Sequence, residues 1–216
     1  MRDNDRKADA DESPNSQQSK VAVIGVGGGG MNSLEAICTK EWPGVQFIAV
    51  NRDKLRIRKW VGSDSILLDA RKNSRDCIEA SAMCQDLHIR SILAGKDALI
   101  LIAGLGGMTG TYATPTIARI AKTMGIKTWA VAIMPFEFEG KKRMQVAQEG
   151  IQLLKEQSVV VLAVTNQRLT KLCEENTPML DAFRKVDEVA AKVVGSIVIY
   201  GEICMEEIDK GLSHNC

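Results

Sequence analysis

The stretch "VAVIGVGGGGMN", residues Val21 to Asn32, places four consecutive glycines directly after an apolar run. Glycine loses more backbone entropy on folding than other residues, so a run of four needs a compensating role. The role that we expect is the close approach of a second backbone or of a phosphate. A helix that begins after such a run presents unpaired N–H groups and a partial positive charge, which suit an anion.

A second glycine-rich stretch, "GLGGMTGTY" (104–112), also follows an apolar run and precedes a helical stretch. Thr109 and Thr111 add hydroxyl groups that can donate to an anion. In a parallel sheet, ligands bind at the carboxyl ends of the strands. The two stretches are therefore predicted to hold one phosphate chain together. The alternative, that the glycines serve only close packing of helix on sheet, explains two such stretches less well.

Apolar runs that do not alternate with polar residues predict buried parallel strands at 21–26, 46–50, 98–104, 128–134 and 158–164. Apolar positions at helical spacing predict helices at 31–40, 76–93, 114–124 and 141–157. The alternation indicates an α/β fold, with a Rossmann-like, mainly parallel sheet flanked by helices. A longer periodic stretch from Pro178 to about Asp209 predicts a long core helix, broken near Gly195 or Gly201.

The ends of the chain carry little that can be buried. Residues 1–19 mix both charge signs with polar residues and are predicted to be a disordered tail. Residues 20–209 are then one domain, 210–216 a frayed tail, and no second domain is expected. The start has no apolar segment of the kind found in signal peptides.

Composition narrows the function classes. The 216 residues carry a net charge of +1 and 4% aromatic residues, which argues against a nucleic-acid partner. No apolar run reaches the roughly 20 residues of a membrane span. The six cysteines form no C-x-x-C pair, so reduced thiols and a cytoplasmic location are expected. His214 and Cys216 are too few ligands for a metal site, and none is predicted.

Single motifs leave the ligand open. Gly25, Gly27 and Gly30 fit the G-x-G-x-x-G pattern, and Asp53 lies where a ribose-binding acid of a dinucleotide site would lie. A dinucleotide-binding oxidoreductase leaves the second glycine stretch unexplained, and no proton-transfer residue stands out. A P-loop is excluded because Met31 stands where that motif requires Lys.

Six segments, in order, resemble the bacterial tubulin homologue family FtsZ: "GVGGGGMN", "IAVNRD", "GLGGMTGT", "PFEFEGKKR", "TNQRL" and "NTPMLDAF". The resemblance spans Val21 to about Gly201. It implies the nucleotide-binding domain of that family and GTP or GDP bound at the carboxyl ends of the strands, with Mg²⁺ accompanying GTP. It also implies the nucleotide-binding residues. These are Gly28, Gly29, Gly30, Asn32, Gly106, Gly107, Met108, Thr109 and Gly110 at the phosphates, Glu139 and Arg143 at the ribose, and Asn166, Phe183 and Asp187 at the guanine.

Three departures from the family pattern bear on activity. Met108 and Tyr112 stand where the family has glycine, and they are expected to add bulk near the phosphates. The family's glycine-rich loop at the terminal phosphate is replaced by "LLDARKNSRDCIEA", in which Arg71, Lys72 and Arg75 are the substitute charges. The acidic catalytic loop has no match. The acidic residues near the end of the chain are Glu202, Glu206, Glu207 and Asp209.

Without catalytic residues to position water, weak or no GTP hydrolysis is expected. The preferred hypothesis is a guanine-nucleotide-binding protein that caps or modulates filaments of a full-length FtsZ. One alternative is an active GTPase that assembles with itself and uses Glu206, Glu207 or Asp209. Another is an interaction module that has lost nucleotide binding.

Overall fold

The computed structural model describes residues 20–39, 41–69, 71–157, 159–165 and 179–212, and within the last range the side chains of 181 and 183–198. The strands are β1 (Val21–Val26), β2 (Val45–Asn51), β3 (Asp64–Leu67), β4 (Ala98–Gly104), β5 (Lys127–Ile133) and β6 (Val160–Val164). The α-helices are α1 (Gly27–Ile37), α2 (Lys54–Lys59), α3 (Arg75–Cys84), α4 (Asp86–Leu93), α5 (Met108–Thr123), α6 (Lys141–Glu156) and α7 (Met179–Leu212), with a 3₁₀ turn at Glu137–Glu139.

All six strands are parallel, in the order β3-β2-β1-β4-β5-β6. β1 lies between β2 and β4, so Val26 pairs with Val50 on one side and with Ala103 on the other. The order of the strands reverses between β1 and β4. In open parallel sheets, such a reversal opens a crevice at the carboxyl ends of the strands.

Helices cover both faces of the sheet, which is why its central strands are continuously apolar. Helices α3 to α6 pack on one face, where Ile78, Leu93 and Ile117 are buried. Helices α1 and α7 pack on the other. Every fourth residue of α7 is buried there, at Val186, Ala190, Val194 and Val198. The predicted α/β class is confirmed.

Several predicted bounds were wrong. The glycines Gly27–Gly30 are not a loop but the first turn of α1, and α5 likewise begins at Met108 rather than at Thr114. The helix expected over 76–93 is divided into α3 and α4 at Gln85. β3 was not predicted, because its four residues DSIL have no continuous apolar run. α7 is one helix that passes through Gly195 and Gly201 without the expected break.

Candidate functional site

A cavity of about 370 Å³ lies at the carboxyl edge of the sheet, beside the reversal between β1 and β4. Its walls are the first turns of α1 and α5, the segment after β5, and one side of α7. The lining includes Gly28 from α1, Gly107 and Thr109 from the start of α5, and Asp187 from α7. Residues distant in sequence meet here because three neighbouring parallel strands end together.

The first turn of α1 supplies one wall of this cavity. Gly27 has a φ of 72°, which lets the chain turn directly from β1 into the helix. Val26, which precedes the helix, makes no side-chain cap, so the first N–H groups of α1 have no capping side chain. Gly30 is buried. A Cβ there would lie 2.2 Å from the carbonyl oxygen of Ile102, so Gly30 packs helix against sheet and does not line the cavity.

The start of α5 supplies the opposite wall. Gly107 precedes the helix and caps it with no side chain. A Cβ built on Gly107 meets nothing within 4 Å, so packing among the described residues does not explain this glycine. The two uncapped helix starts thus direct backbone donors and the positive ends of two helix dipoles at one space, an arrangement that favours an anion.

Two expectations about this helix were wrong: that the hydroxyl of Thr111 faces the anion, and that Tyr112 adds bulk near the phosphates. Thr111 is fully buried and does not line the cavity. Its Oγ1 accepts the backbone N–H of Gly106 at 3.0 Å, so it holds the turn before the helix. Tyr112 is 95% buried on the other side of the helix, where its hydroxyl donates to Glu149 at 3.0 Å. Burial raises the pKa of Tyr112, and Glu149 raises it further. Its bulk is therefore not in the cavity.

Replacing Thr111 by Val is expected to lower the free energy of unfolding by about 1–3 kcal/mol, because the isosteric side chain leaves the N–H of Gly106 without its acceptor. Urea denaturation measures the change. The matched control is Thr116→Val, since the hydroxyl of buried Thr116 only donates to a helix carbonyl, that of Tyr112. A loss no larger than that of the control would contradict this role of Thr111.

Met108 lies where the first cavity meets a second one. It lines both, and its side chain also packs against the core on the α3–α6 face. Of the two side chains expected to crowd this edge, Met108 is the one that does so.

Glu139 and Arg143 form an ion pair on the wall that follows β5. Glu139 also accepts the N–H of Phe136 at 2.9 Å, which closes the 3₁₀ turn. Its side chain is largely buried, whereas that of Arg143 is 59% exposed. The pair thus presents a buried, hydrogen-bonded carboxylate and a more exposed guanidinium to the cavity.

Phe183 presents an aromatic ring at the α7 end of the cavity. The residue is 37% exposed, and its ring packs edge-on against that of Phe136, with the centroids 5.1 Å apart. Phe136 is buried, so it holds Phe183 in place. A flat apolar ligand could pack against the exposed face of such a ring.

Asp187 is a half-buried carboxylate next to Phe183. Its Oδ1 accepts a hydrogen bond of 2.5 Å from the Oγ of Ser33, a fully buried residue of α1. Burial raises the pKa of Asp187; the hydrogen bond from Ser33 opposes this and the charge of Glu35 adds to it. One carboxylate oxygen is held by α1, and the carboxylate lines the cavity. Such a group can accept hydrogen bonds from a ligand with adjacent N–H donors.

The second cavity, of about 540 Å³, adjoins the first at Gly107, Met108, Thr109 and Arg143. Its other residues end or follow β2, or lie in the segments before α3 and α5. These are Asn51, Arg52, Asp53, Asn73 and Gly106. The predicted substitute charges do not line it. Arg75 is paired with Glu79 and Glu149 and lies over the ring of Tyr112, and Arg71 and Lys72 are exposed elsewhere.

Most of the residues predicted to bind nucleotide lie together in the first cavity. They are Gly28, Gly29, Asn32, Gly107, Met108, Thr109, Gly110, Glu139, Arg143, Phe183 and Asp187. Gly106 lines only the second cavity, and Gly30 lines neither. Asn166 lies outside the described residues. The cavity therefore brings together four segments, of which the resemblance assigns two to the phosphates, one to the ribose and one to the base.

A model of the Tubulin/FtsZ family, GTPase domain, matches residues 20–174. The chain is 38% identical over 190 residues to the cell division protein FtsZ of Azotobacter vinelandii, a match that covers 84% of this chain and 48% of that protein. It is 36% identical over 185 residues to FtsZ of Aquifex aeolicus, covering 82% of this chain and 50% of that protein. The chain belongs to the Tubulin/FtsZ family.

The solved structures agree with this assignment. An empty FtsZ dimer from M. jannaschii matches with a TM-score of 0.77 and 29% identity, over 84% of this chain and 55% of that chain. CetZ from Methanosaeta thermophila, at 18% identity and a TM-score of 0.71 over 84% of this chain and 54% of that chain, shares the fold. The chain thus spans about half the length of the FtsZ relatives that it matches.

None of the described helices has the length and hydropathy of a membrane span.

Two residues of this FtsZ-family chain that hold the lining of the first cavity were not predicted from the sequence. Ser33 holds Asp187, and Arg56 of α2 lies over the first turn of α1. There Arg56 donates to the carbonyl of Gly28 at 3.3 Å and to the Oδ1 of Asn32 at 2.6 Å. With its oxygen so engaged, the amide nitrogen of Asn32 is the part of its side chain that can donate a hydrogen bond to a ligand. Ser33 carried a usable signal, because it is a polar residue on the buried face of a helix. No feature of the sequence singled out Arg56, because α2 is short and rich in basic residues.

Proposed function

We propose that this chain binds guanosine di- or triphosphate in the cavity between α1, α5 and α7. The single observation that carries the proposal is the convergence of two uncapped helix starts on one space that Gly107 leaves open. Phosphates bind there through backbone N–H groups, since glycine adds no Cβ to obstruct them.

We expect the base at the α7 end of the cavity. Guanine has two adjacent donors, its N1–H and its amino group, and the carboxylate of Asp187 accepts from both. Adenine has an acceptor at that ring nitrogen and only a hydrogen at C2, where guanine carries its amino group, so it leaves the half-buried carboxylate without the paired donors. Phe183 packs on the purine ring, and the ribose lies against Glu139 and Arg143. The role of Asn166 at the guanine stays a prediction.

Titration of the purified chain with GDP and with ADP tests this function. We expect GDP to bind and ADP to bind at least about 100-fold more weakly, because a site built to accept hydrogen bonds rejects a ligand without the donors. Guanine nucleotide should also be released from the freshly purified protein on denaturation. Equal affinity for the two nucleotides would contradict the assignment of the base. Failure to bind either would favour the alternative of an interaction module without nucleotide.

The affinity for GDP is expected to fall as the pH is lowered from about 7 toward about 5. Guanine needs the ionised carboxylate, and burial has raised the pKa of Asp187, so its protonation begins at a higher pH than in an ordinary Asp. Isothermal titration at several pH values measures this. The phosphates of GDP titrate in the same range, so the relevant quantity is the difference between the wild-type chain and Asp187→Asn. Parallel pH profiles would contradict the prediction.

We further propose that this domain modulates FtsZ-type filaments. Two observations support this: the chain is similar to an FtsZ solved as a dimer, and the cavity at the carboxyl ends of its strands is lined by most of the residues that the resemblance assigns to the nucleotide. Added to polymerising FtsZ from a relative, the chain is expected to lower light scattering and shorten the filaments at substoichiometric ratios. Unchanged polymer mass and length would contradict this role.

Hydrolysis by the isolated chain is expected to be slow, with or without Mg²⁺, because Glu206, Glu207 and Asp209 do not reproduce the family's acidic catalytic motif. Release of phosphate from GTP measures it. Release well above background that is lost in Asp209→Asn would instead favour the self-assembling GTPase.

A further inference from the structure

We propose that Arg52 recognises the terminal phosphate of guanosine triphosphate, replacing with a side chain the glycine-rich backbone loop that the resemblance led us to expect. This inference rests on the proposed function and deepens it. It makes Arg52 the residue by which this chain distinguishes the triphosphate from the diphosphate.

The two cavities share the start of α5, at Gly107, and differ in what lies beyond it. Phe183 and Asp187 line only the first cavity, and Arg52 and Asn73 line only the second. A nucleotide with its base at Asp187 and its phosphates at Gly107 therefore directs the far end of its phosphate chain into the second cavity.

Two of the charged residues that line the second cavity are already engaged. Arg143 is paired with Glu139. The carboxylate of Asp53 accepts the N–H groups of Leu55 and Arg56, which caps α2. Arg52 instead donates to the Oδ1 of Asn73 at 2.8 Å, a neutral partner, and no carboxylate of the described residues forms an ion pair with it. Of the charged side chains that line this cavity, Arg52 is thus the one that forms neither an ion pair nor a helix cap among the described residues.

The backbone of Arg52 is also fixed. Asn51 is 95% buried, and its Oδ1 accepts the N–H groups of Arg52 at 2.8 Å and of Asp53 at 3.1 Å. Asn73, which holds the guanidinium, comes from the segment "LLDARKNSRDCIEA" that replaces the glycine-rich loop. An arginine whose backbone is held by Asn51 and whose guanidinium is held by Asn73 can bind two phosphate oxygens at little cost in side-chain entropy.

The experiment compares two ligands, GDP and the β,γ-imido analogue of GTP, by isothermal titration of the full 216-residue chain. It is run in EDTA and repeated with Mg²⁺, so that a metal-borne contribution is separated from that of the arginine. For the wild-type chain we expect the analogue to bind about tenfold more tightly than GDP in EDTA, the size of one charge-assisted contact to phosphate. Arg52→Ala is expected to remove that advantage while the affinity for GDP stays within about twofold.

Arg58→Ala is the matched control, because Arg58 is an exposed arginine of the neighbouring helix α2 and lines neither cavity. It should leave both affinities unchanged, and Arg52→Lys should keep part of the preference. Asn73→Asp provides a second route, independent of removing the side chain. A carboxylate at that position pairs with Arg52, so it should lower the affinity for the analogue but not for GDP.

The possible outcomes distinguish a failure of Arg52 from a failure of nucleotide binding. GDP binding with an analogue-to-GDP ratio that neither Arg52→Ala nor Asn73→Asp changes would overturn the role of Arg52 and leave the proposed function intact. An equal loss of both ligands in Arg52→Ala would do the same. No binding of either nucleotide to the wild-type chain would overturn the proposed function and this inference together.

Discussion

Replacing Asp187 by Asn is expected to weaken the binding of GDP about 100-fold. The substitution removes the charged acceptor of two hydrogen bonds from guanine, and each such bond contributes about 1.5–3 kcal/mol. The substitution also places an amide N–H₂ opposite a guanine donor. The fold should survive, because the amide oxygen of Asn can still accept the hydrogen bond from Ser33.

The same substitution should also change which base is preferred, which provides a more specific test of the contact between Asp187 and guanine. Xanthine carries a carbonyl where guanine carries the amino group, so the amide that the Asp187→Asn substitution introduces can donate a hydrogen bond to it. We therefore expect xanthosine diphosphate to bind the variant more tightly than GDP does, and the wild-type chain to show the reverse order. Asp181→Asn, on the same helix but outside the cavity, is the control. A variant that loses GDP and gains nothing, with an unchanged melting temperature, would contradict the base contact.

Replacing Gly30 by Ala is expected to have the largest effect on stability. An exposed helical Gly→Ala change ordinarily stabilises by about 1 kcal/mol. Here the new Cβ would lie 2.2 Å from the carbonyl oxygen of Ile102, so α1 must move away from β4. We expect a loss of about 3 kcal/mol or more. In a chain of this size that corresponds to a fall in melting temperature of about 10 °C.

Gly107→Ala is the matched comparison for that experiment. Its Cβ meets no described atom within 4 Å, so the variant should fold with nearly wild-type stability. The added methyl group occupies the space assigned to phosphate, and the affinity for GDP should fall about tenfold or more, the loss expected when a charge-assisted hydrogen bond is displaced. Thermal denaturation and titration of both variants separate a packing glycine from a binding one. A Gly30→Ala chain as stable as the wild type would contradict this division.

The central strands could be predicted because burial on both faces requires a continuous run of apolar residues in the sequence. β1 and β4 were predicted with their observed bounds, since every residue of β1 and nearly every residue of β4 is buried. β3 could not, because it is short, lies at the sheet edge and has a single buried residue, Ile66. Helix starts were misplaced for a different reason. Glycine has low helix propensity, but here packing against the sheet keeps Gly27–Gly30 in the helical conformation.

The site was predictable in its segments and not in its internal contacts. Glycine stretches, an acidic residue and an aromatic ring on one helix pointed to residues that share a cavity. Some glycines of these stretches pack against a neighbouring backbone and others face open space. Whether Gly30 packs depends on the distance between α1 and β4, which no sequence pattern indicates. The same holds for Tyr112, whose side chain faces Glu149 because it lies on the opposite side of α5. The contacts of Arg52 and Arg56 depend on how β2 and α2 sit beside β1.

The position of β1 at the middle of the sheet also constrains how the chain is assembled during synthesis. Both neighbours of this strand are translated after it, and β4 emerges only once β2, β3 and the helices α1 to α4 have been made. The crevice beside β1 cannot exist before then, and Asp187 arrives later still. A ribosome-bound chain stalled before β4 should consequently be protease-sensitive, and only chains extended through α7 should be protected by guanine nucleotide.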